Sequence, residues 1–106
     1  MRNVLLVALG STARADCIAE AIAKSRNTQL HTYLSHPNPS VLKRSASFHL
    51  GKTDDFKSIQ KFAKHVNATI AFVSPEAPLA GGVADALEEI GIPCAGPLKS
   101  LARLES

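Results

Sequence analysis

Hydrophobic and polar residues alternate along the chain in blocks that are typical of an α/β protein. Short runs that are apolar on both faces indicate buried parallel strands, and segments with apolar residues three and four apart indicate amphipathic helices between them. The predicted order is β-α-β-β-α-β-α-β-α, which implies a mostly parallel sheet with helices on both faces. The strands are placed at residues 4–8, 30–34, 46–50, 68–73 and 93–95.

The second predicted helix has the clearest start signal. We place Thr53 as its N-cap, because Asp54 and Asp55 then lie in the first turn, where the helix dipole favours carboxylates. Its apolar stripe continues to about Val66. The polar loop at residues 35–45 contains two prolines, which exclude a helix from its first half.

The first and third predicted helices are recognised by their apolar stripes. Glu20 and Lys24 pair on the polar side of the first, and Gly91 ends the third. A last helix is predicted within residues 96–106, where nothing acts as a stop signal. The stripes are Ala15, Ile18, Ala19 and Ile22 in the first helix and Leu79, Val83, Ala86, Leu87 and Ile90 in the third.

Composition narrows the class of protein. At 106 residues, with 45% hydrophobic and 20% charged residues, the chain has the size and composition of one small soluble domain. A net charge of +3 and 5% aromatic residues argue against a nucleic-acid-binding surface, since Lys57, Lys61 and Lys64 follow one solvent-facing helix side. No apolar run approaches a membrane span, and the N-terminal run lacks a cleavage-like site, so a cytoplasmic protein is expected.

Reactive side chains do not form a recognisable metal or catalytic set. Cys17 and Cys94 lie far apart in apolar surroundings, which predicts buried, reduced thiols and no metal ligation. Lys43 and Arg44 either reach a phosphate or belong to a solvated loop. The histidines receive structural or surface roles, with a ligand role kept open only for the second, whose loop borders the predicted site: His31, His36, His49 and His65.

A ligand site is expected at the carboxyl ends of the parallel strands, near the point where the strand order reverses. Four segments of unusual composition follow predicted strands there, and we take them as the candidate site: residues 10–14, 35–39, 74–78 and 95–99.

Two of these segments allow two interpretations each. The turn at Gly10 and Ser11 either presents backbone N–H groups to a phosphate or only permits a tight turn and caps a helix. Glu76 lies between Pro75 and Pro78, which stiffen the turn. Its carboxylate either accepts hydrogen bonds from ligand hydroxyls or an amine, or stabilises a helix N-terminus.

The second half of the chain resembles the amino-terminal domain of the phosphoribosylamine-glycine ligase family, also called glycinamide ribonucleotide synthetase, of purine biosynthesis. The family segment G-P-E-x-P-L-x-x-G corresponds to residues 74–82, and the family opening G-S-G-G-R-E-H-A to residues 10–17. Gly10, Ser11 and Arg14 match in the opening, and Asn38 retains the last residue of a P-G-N motif. Later matches are Asp85, Gly91, Gly96, Pro97, Leu104, Glu105 and Ser106.

The resemblance implies a Rossmann-like, pre-ATP-grasp fold and an ATP-dependent ligase that joins 5-phosphoribosylamine to glycine. ATP and Mg²⁺ would be bound by an ATP-grasp domain in cis or on a separate chain, so residues 1–106 are expected to bind no cofactor and not to be active alone. An uncovered interface with that domain could favour self-association. The implied substrate-binding residues are Gly10, Ser11, Arg14, Asn38, Pro75, Glu76 and Pro78.

Other readings of the same sequence remain open. The chain could be a diverged, stand-alone α/β module that binds a nucleotide-like ligand or a partner protein, since the opening motif has lost two glycines at Thr12 and Ala13. It could also be the equivalent domain of another ATP-grasp ligase, which the segment at residues 74–79 disfavours.

Overall fold

The computed structural model describes residues 2–9, 13–74 and 79–95, with residues 13–15 and 95 described by their backbone alone. Strands and helices alternate along most of this part of the chain. The strands are β1 (Arg2–Ala8), β2 (Thr28–Leu34), β3 (Ser47–Leu50), β4 (Ile70–Val73) and β5 (Cys94–Ala95). The helices are α1 (Ala13–Lys24), α2 (Pro39–Arg44), α3 (Phe56–His65) and α4 (Ala80–Glu89).

The strands form one parallel sheet in the order β3-β2-β1-β4-β5. The chain builds outward from β1 to β3, then crosses back through α3 to place β4 on the other side of β1. The strand order therefore reverses between β1 and β4, as in doubly wound sheets. The predicted Rossmann-like parallel sheet is confirmed.

Helices cover both faces of the sheet, which explains the uninterrupted apolar run of β1. Alternate residues of this central strand point to opposite faces and enter two separate cores. The first core lies under α1 and α2: Val4, Leu6, Ala8, Ile18, Ala19, Ile22, Leu30, Leu34, Val41 and Phe72. The second lies under α3 and α4: Leu5, Val7, Tyr33, Ile59, Phe62, Ala63, Val66, Ala71, Val83, Leu87 and Ile92.

Helix α2 is a short element that the sequence prediction missed. Pro39 is its first residue, a position whose N–H needs no intrahelical partner, so proline is well tolerated there. The Oδ1 atom of Asn38 accepts hydrogen bonds from the backbone N–H groups of Ser40 (3.1 Å) and Val41 (3.3 Å). Proline is disfavoured in the interior of a helix, but Pro39 occupies the first position of α2.

The predicted N-cap of α3 is wrong by two residues. Asp55 is the cap, and its Oδ1 atom accepts from the backbone N–H of Ser58 at 3.2 Å. Thr53 lies in the preceding turn with only 4% of its surface exposed. Thr and Asp are both good N-caps, so a run of adjacent candidates does not identify the cap. The predicted end near Val66 is confirmed, because that residue is the C-cap.

Leu79 does not belong to the buried stripe of α4, contrary to the prediction. It precedes the helix in a left-handed conformation (φ 57°, ψ 35°) and is 63% exposed. Val83, Ala86 and Leu87 are buried as predicted. The helical spacing of Leu79 was therefore coincidental, because the helix begins one residue later.

The prediction of two buried thiols is half wrong, because Cys17 is exposed and Cys94 is partly buried. Both are free. The Glu20–Lys24 pair is confirmed, with 2.8 Å between Oε1 and Nζ. The predicted last helix lies outside the described residues. Within the described ranges, none of the helices has the length and apolar character needed to cross a membrane.

Candidate functional site at the carboxyl ends of the strands

The loops at the carboxyl edge begin by continuing the hydrogen bonding of the sheet. The N–H of Ser35 donates to Ala8 O (3.3 Å) and that of His36 to Leu9 O (2.8 Å), so the chain after β2 lies against the chain after β1. The N–H of Ser74 donates to Val7 O (2.8 Å), which aligns the end of β4 with β1 in the same way. These hydrogen bonds place the first residues of the loops after β1, β2 and β4 next to one another.

Most of the predicted site residues lie outside the described part of the chain: Gly10, Ser11, Pro75, Glu76 and Pro78. Their immediate neighbours are described. Val7 pairs with Val73 across adjacent strands, so Leu9 and Ser74 leave the sheet at neighbouring positions. Arg14 lies in the first turn of α1, which follows β1. The substrate-binding roles of these residues stay predictions.

Asn38 has a definite structural role as the N-cap of α2. Because its Oδ1 atom already accepts two backbone hydrogen bonds, this oxygen holds the start of the helix in place. The predicted contact between Asn38 and a substrate stays a prediction.

Arg44 ties α2 to α1. Its Nη1 atom lies 3.0 Å from Asp16 Oδ1 and also donates to the Ser40 hydroxyl at 2.8 Å. Its Nη2 atom lies 4.0 Å from Glu20 Oε2. Arg44 therefore links α2 to α1 through ion pairs and hydrogen bonds. The neighbouring Lys43 is exposed. The segment is helical and not the solvated loop that was one of the two predictions.

An open cavity of about 480 Å³ lies at the carboxyl ends of β1, β2 and β3. The sequence kept a ligand role open for His36, which borders the cavity, but gave no role to Lys52 and assigned Thr53 and Asp54 to the start of α3. The turn before α3 places their side chains at the sheet edge. We call this the β2–β3 cavity, and it is lined by Leu9, Ser35, His36, Lys52, Thr53 and Asp54.

Tyr33 contacts the backbone of the loop that forms one wall of the β2–β3 cavity. This side chain is fully buried, and its hydroxyl donates to Lys52 O at 2.9 Å. Burial raises the pKa of the Tyr33 phenol, so the hydroxyl remains a donor at neutral pH. Gly51 passes so close that a Cβ atom there would lie 2.5 Å from the Tyr33 oxygen. A tight backbone approach thus sets the position of the loop.

Metal-binding side chains do not converge within the described part of the chain. Among residues 2–9, 13–74 and 79–95, no group of three or more His, Cys, Asp or Glu side chains could hold an ion. The charged side chains that border the cavity are Lys52 and Asp54, accompanied by the imidazole of His36.

Comparison with known protein families gives a direct match over nearly the whole chain. The family described as "Phosphoribosylglycinamide synthetase, N domain" matches residues 2–105. The chain belongs to this family. The match confirms the resemblance inferred from the motifs at residues 10–17 and 74–82.

Curated members of the family are named phosphoribosylamine-glycine ligases. The protein of Methanosarcina barkeri is 43% identical over 94% of this chain, that of Methanocaldococcus jannaschii 37% over 95%, and that of Pyrococcus furiosus 40% over 100%. The chain spans only 23–24% of the length of these relatives. It therefore corresponds to an amino-terminal domain of much longer proteins.

Solved structures with the same fold have distant sequences. N5-carboxyaminoimidazole ribonucleotide synthetase from Thermotoga maritima matches with a TM-score of 0.70 at 11% identity, over 96% of this chain and 27% of that one. Saccharopine dehydrogenase from Saccharomyces cerevisiae matches with a TM-score of 0.70 at 13% identity, over 91% and 21%. At such identities the matches support the α/β fold alone.

Proposed function

We propose that this chain is the amino-terminal domain of an ATP-dependent ligase that joins 5-phosphoribosylamine and glycine to form glycinamide ribonucleotide. The observation that carries the proposal is the 37–43% identity to phosphoribosylamine-glycine ligases over 94–100% of the chain. In the proposed reaction, glycine is activated as glycyl phosphate at the expense of ATP. The amine of phosphoribosylamine then attacks the glycyl carbonyl, and ADP and phosphate are released.

The domain's proposed role is to form one wall of the phosphoribosylamine pocket. Support comes from the sheet, because β1 and β4 are neighbours and the segments with Gly10, Ser11 and Glu76 follow their carboxyl ends. Glu76 would accept hydrogen bonds from the ribose hydroxyls or the amine, and the Gly10–Ser11 turn would face the substrate. Arg14 would direct positive charge towards the phosphate or the adjoining domain.

The remaining chemistry is assigned to an ATP-grasp domain, in cis or on a separate chain, which would bind ATP and Mg²⁺. Exposed apolar side chains on the edge strand β3 support a covering partner: Phe48 (50% exposed) and Leu50 (45%). Without that partner the same side chains could promote self-association. A cytoplasmic location belongs to the same proposal.

The proposal is tested on the complete polypeptide that carries this chain. ADP formation is measured with phosphoribosylamine, glycine and MgATP together, and with each substrate omitted in turn. The expected result is ADP release that requires both co-substrates. A folded polypeptide that binds ATP but forms no ADP with both co-substrates present would overturn the proposed reaction.

The role of Glu76 is tested by isothermal titration of glycinamide ribonucleotide into the Glu76→Ala variant. Glu89→Ala is the matched control, because Glu89 is an exposed carboxylate at the far end of α4. Loss of a charge-assisted hydrogen bond should weaken binding by about tenfold or more, while the control retains the parent affinity. Unchanged affinity of the Glu76 variant would remove this residue from the site.

A further inference from the structure

A further cavity, of about 360 Å³, lies between α3 and β3, an edge strand of the sheet. We infer that it binds an aromatic carboxylate, with the ring stacked against His49 and the carboxylate held by Lys61 and His65. The residues assigned to phosphoribosylamine are not among those that line it, and the inference does not rest on the proposed reaction. We call it the β3–α3 cavity, and it is lined by His49, Ser58, Lys61, Phe62 and His65.

The β3–α3 cavity is formed where one face of α3 meets the edge of the sheet. His49 supplies the strand side, because it pairs in register with Tyr33, whose side chain enters the core under α3. The helix side follows the i, i+3, i+4, i+7 pattern of a single helix face: Ser58, Lys61, Phe62 and His65. The lining residues are thus brought together by the packing of α3 on the sheet and not by a contiguous motif.

Three rings form the aromatic wall of the β3–α3 cavity. The imidazole of His49 stacks on the phenol of Tyr33, with 5.3 Å between the ring centroids and 22° between the ring planes. The Phe62 ring lies 5.7 Å from that of His49 and 6.3 Å from that of Tyr33. Tyr33 and Phe62 are buried, whereas His49 is exposed. The stack therefore ends at the His49 ring, where a further planar ring can continue it in the offset geometry that aromatic pairs prefer.

The polar groups of the same cavity suit an anion. Lys61 supplies an ammonium group and His65 an imidazole, both on exposed residues one helical turn apart. The lining contains no carboxylate, and within the described part of the chain Lys61 forms no ion pair. An ammonium group and an imidazole both donate hydrogen bonds, and such bonds are strongest when the acceptor is ionised. An anionic ligand group is therefore the matching partner.

The two kinds of lining together define the ligand. A small anion without a ring would leave the aromatic wall uncovered, and a neutral aromatic molecule would leave the Lys61 ammonium group unpaired. A carboxylate carries one charge, which matches the one lysine of the lining better than the two charges of a phosphate. The volume of about 360 Å³ lies near the lower end of the range for small-molecule sites, so the ligand is compact.

The ligand class is tested by calorimetric titration of 2-naphthoate into the complete polypeptide that carries this chain. The neutral analogue 2-naphthamide should bind about tenfold more weakly, because it lacks the charge. The saturated analogue decahydro-2-naphthoate should bind about fivefold more weakly, because it keeps the charge but cannot stack. No binding of 2-naphthoate at millimolar concentration, equal binding of either analogue, or tighter binding of 2-naphthyl phosphate would overturn the inference.

The position of the site is tested with variants of two exposed lining residues. Lys61→Met removes the ammonium group and keeps the length of the side chain, so it should weaken 2-naphthoate binding about tenfold. His49→Ala removes the end of the aromatic stack and should weaken binding about fivefold, whereas His49→Phe keeps a ring and should retain most of the affinity.

Lys64→Met is the matched control, because Lys64 is an exposed lysine of the same helix that does not line the cavity. It should keep the parent affinity for 2-naphthoate, and thermal unfolding should show the same fold in all variants. Equal weakening by Lys64→Met and Lys61→Met would overturn the site. Unchanged affinity in both Lys61→Met and His49→Ala would overturn it as well, because 2-naphthoate would then bind elsewhere.

Discussion

The hydroxyl of Tyr33 donates a hydrogen bond of 2.9 Å to the backbone carbonyl of Lys52. Tyr33 is fully buried in the core between the sheet and α3, whereas Lys52 lines the open cavity at the carboxyl edge. This one contact therefore connects the packing of the core with the position of the candidate binding loop.

Removal of that hydroxyl in Tyr33→Phe should lower the free energy of unfolding by about 0.5–1.5 kcal/mol, because the Lys52 carbonyl loses a buried donor. Urea denaturation of parent and variant measures the difference. Thr69→Val is the control, since its exposed hydroxyl also donates to a backbone carbonyl, that of Asn3 at 3.1 Å. An equal loss in both variants would show that burial of the Tyr33 bond has no special effect.

Two adjacent glycines of α4 should respond to alanine in opposite ways. A Cβ atom at Gly81 meets no other atom within 4 Å, so Gly81→Ala should stabilise the fold by up to about 1 kcal/mol through helix propensity. A Cβ atom at Gly82 would lie 2.7 Å from Cζ of Phe56, so Gly82→Ala should destabilise by about 1–3 kcal/mol. Urea denaturation tests both, and stabilisation by Gly82→Ala would show that the Phe56 ring moves aside at little cost.

The two thiols should differ sharply in reactivity. Cys17 is exposed, whereas burial, followed by the charges of Glu88 and Asp85, raises the pKa of Cys94 to about 11. Iodoacetamide at pH 8 should therefore alkylate Cys17 much faster, since Cys94 holds little thiolate at that pH. Peptide mass mapping over time checks the order. Modification of Cys94 at an equal rate would contradict its partial burial.

The same raised pKa has a consequence for stability at high pH. The folded state binds the Cys94 proton more tightly than the unfolded state, so its contribution is present below the unfolded pKa of about 8.5 and is lost as pH rises through 11. Thermal unfolding of Cys94→Ala between pH 8 and 11 should show a shallower decline than the parent. The same pH dependence of the unfolding temperature in both proteins would argue against a raised pKa of Cys94.

His31 should make the fold sensitive to acid. It is 7% exposed, its Nδ1 atom lies 2.6 Å from Ser47 Oγ, and its Nε2 atom lies 3.2 Å from Asn3 Oδ1. Burial lowers the pKa of His31, so the folded state favours the neutral ring. Its stabilising contribution is present above the ordinary pKa of about 6.5 and is lost as pH falls through the lower folded value.

The His31→Gln variant provides the comparison, because glutamine can form hydrogen bonds but does not titrate. Thermal unfolding is measured from pH 7.5 to 4.5 for both proteins. The parent should lose stability more steeply than the variant below about pH 6.5. An identical pH dependence would assign the acid sensitivity to other groups.

Much of the architecture followed from local patterns. The run at residues 4–8 is apolar on both faces because β1 is the central strand and contributes to both cores. The stripe that contains Ile59 and Ala63 identified α3 because helical spacing places those residues on one face. The family relationship was also recognisable, since the motif at residues 74–82 is contiguous in the sequence.

Features that depend on a choice between equivalent local signals were predicted poorly. Thr53 and Asp55 are both competent N-caps, and only the structure identifies Asp55 as the residue that caps α3. The spacing of Leu79 fitted the α4 stripe, but its left-handed backbone places it before the helix and in solvent. Pro39 was assigned to a loop, although a first helical position suits it equally well.

The amino-acid sequence by itself thus determined the order of the five strands and of helices α1, α3 and α4, the parallel sheet and the family, because periodicity and contiguous motifs are properties of neighbouring residues. Only the tertiary structure decided that Lys52, Thr53 and Asp54 line a cavity with His36. These residues are separated in the chain by α2 and β3, and the pairing of β2 with β3 brings their loops to one edge. Thr53 borders that cavity with 4% of its surface exposed, whereas Asp55 caps α3.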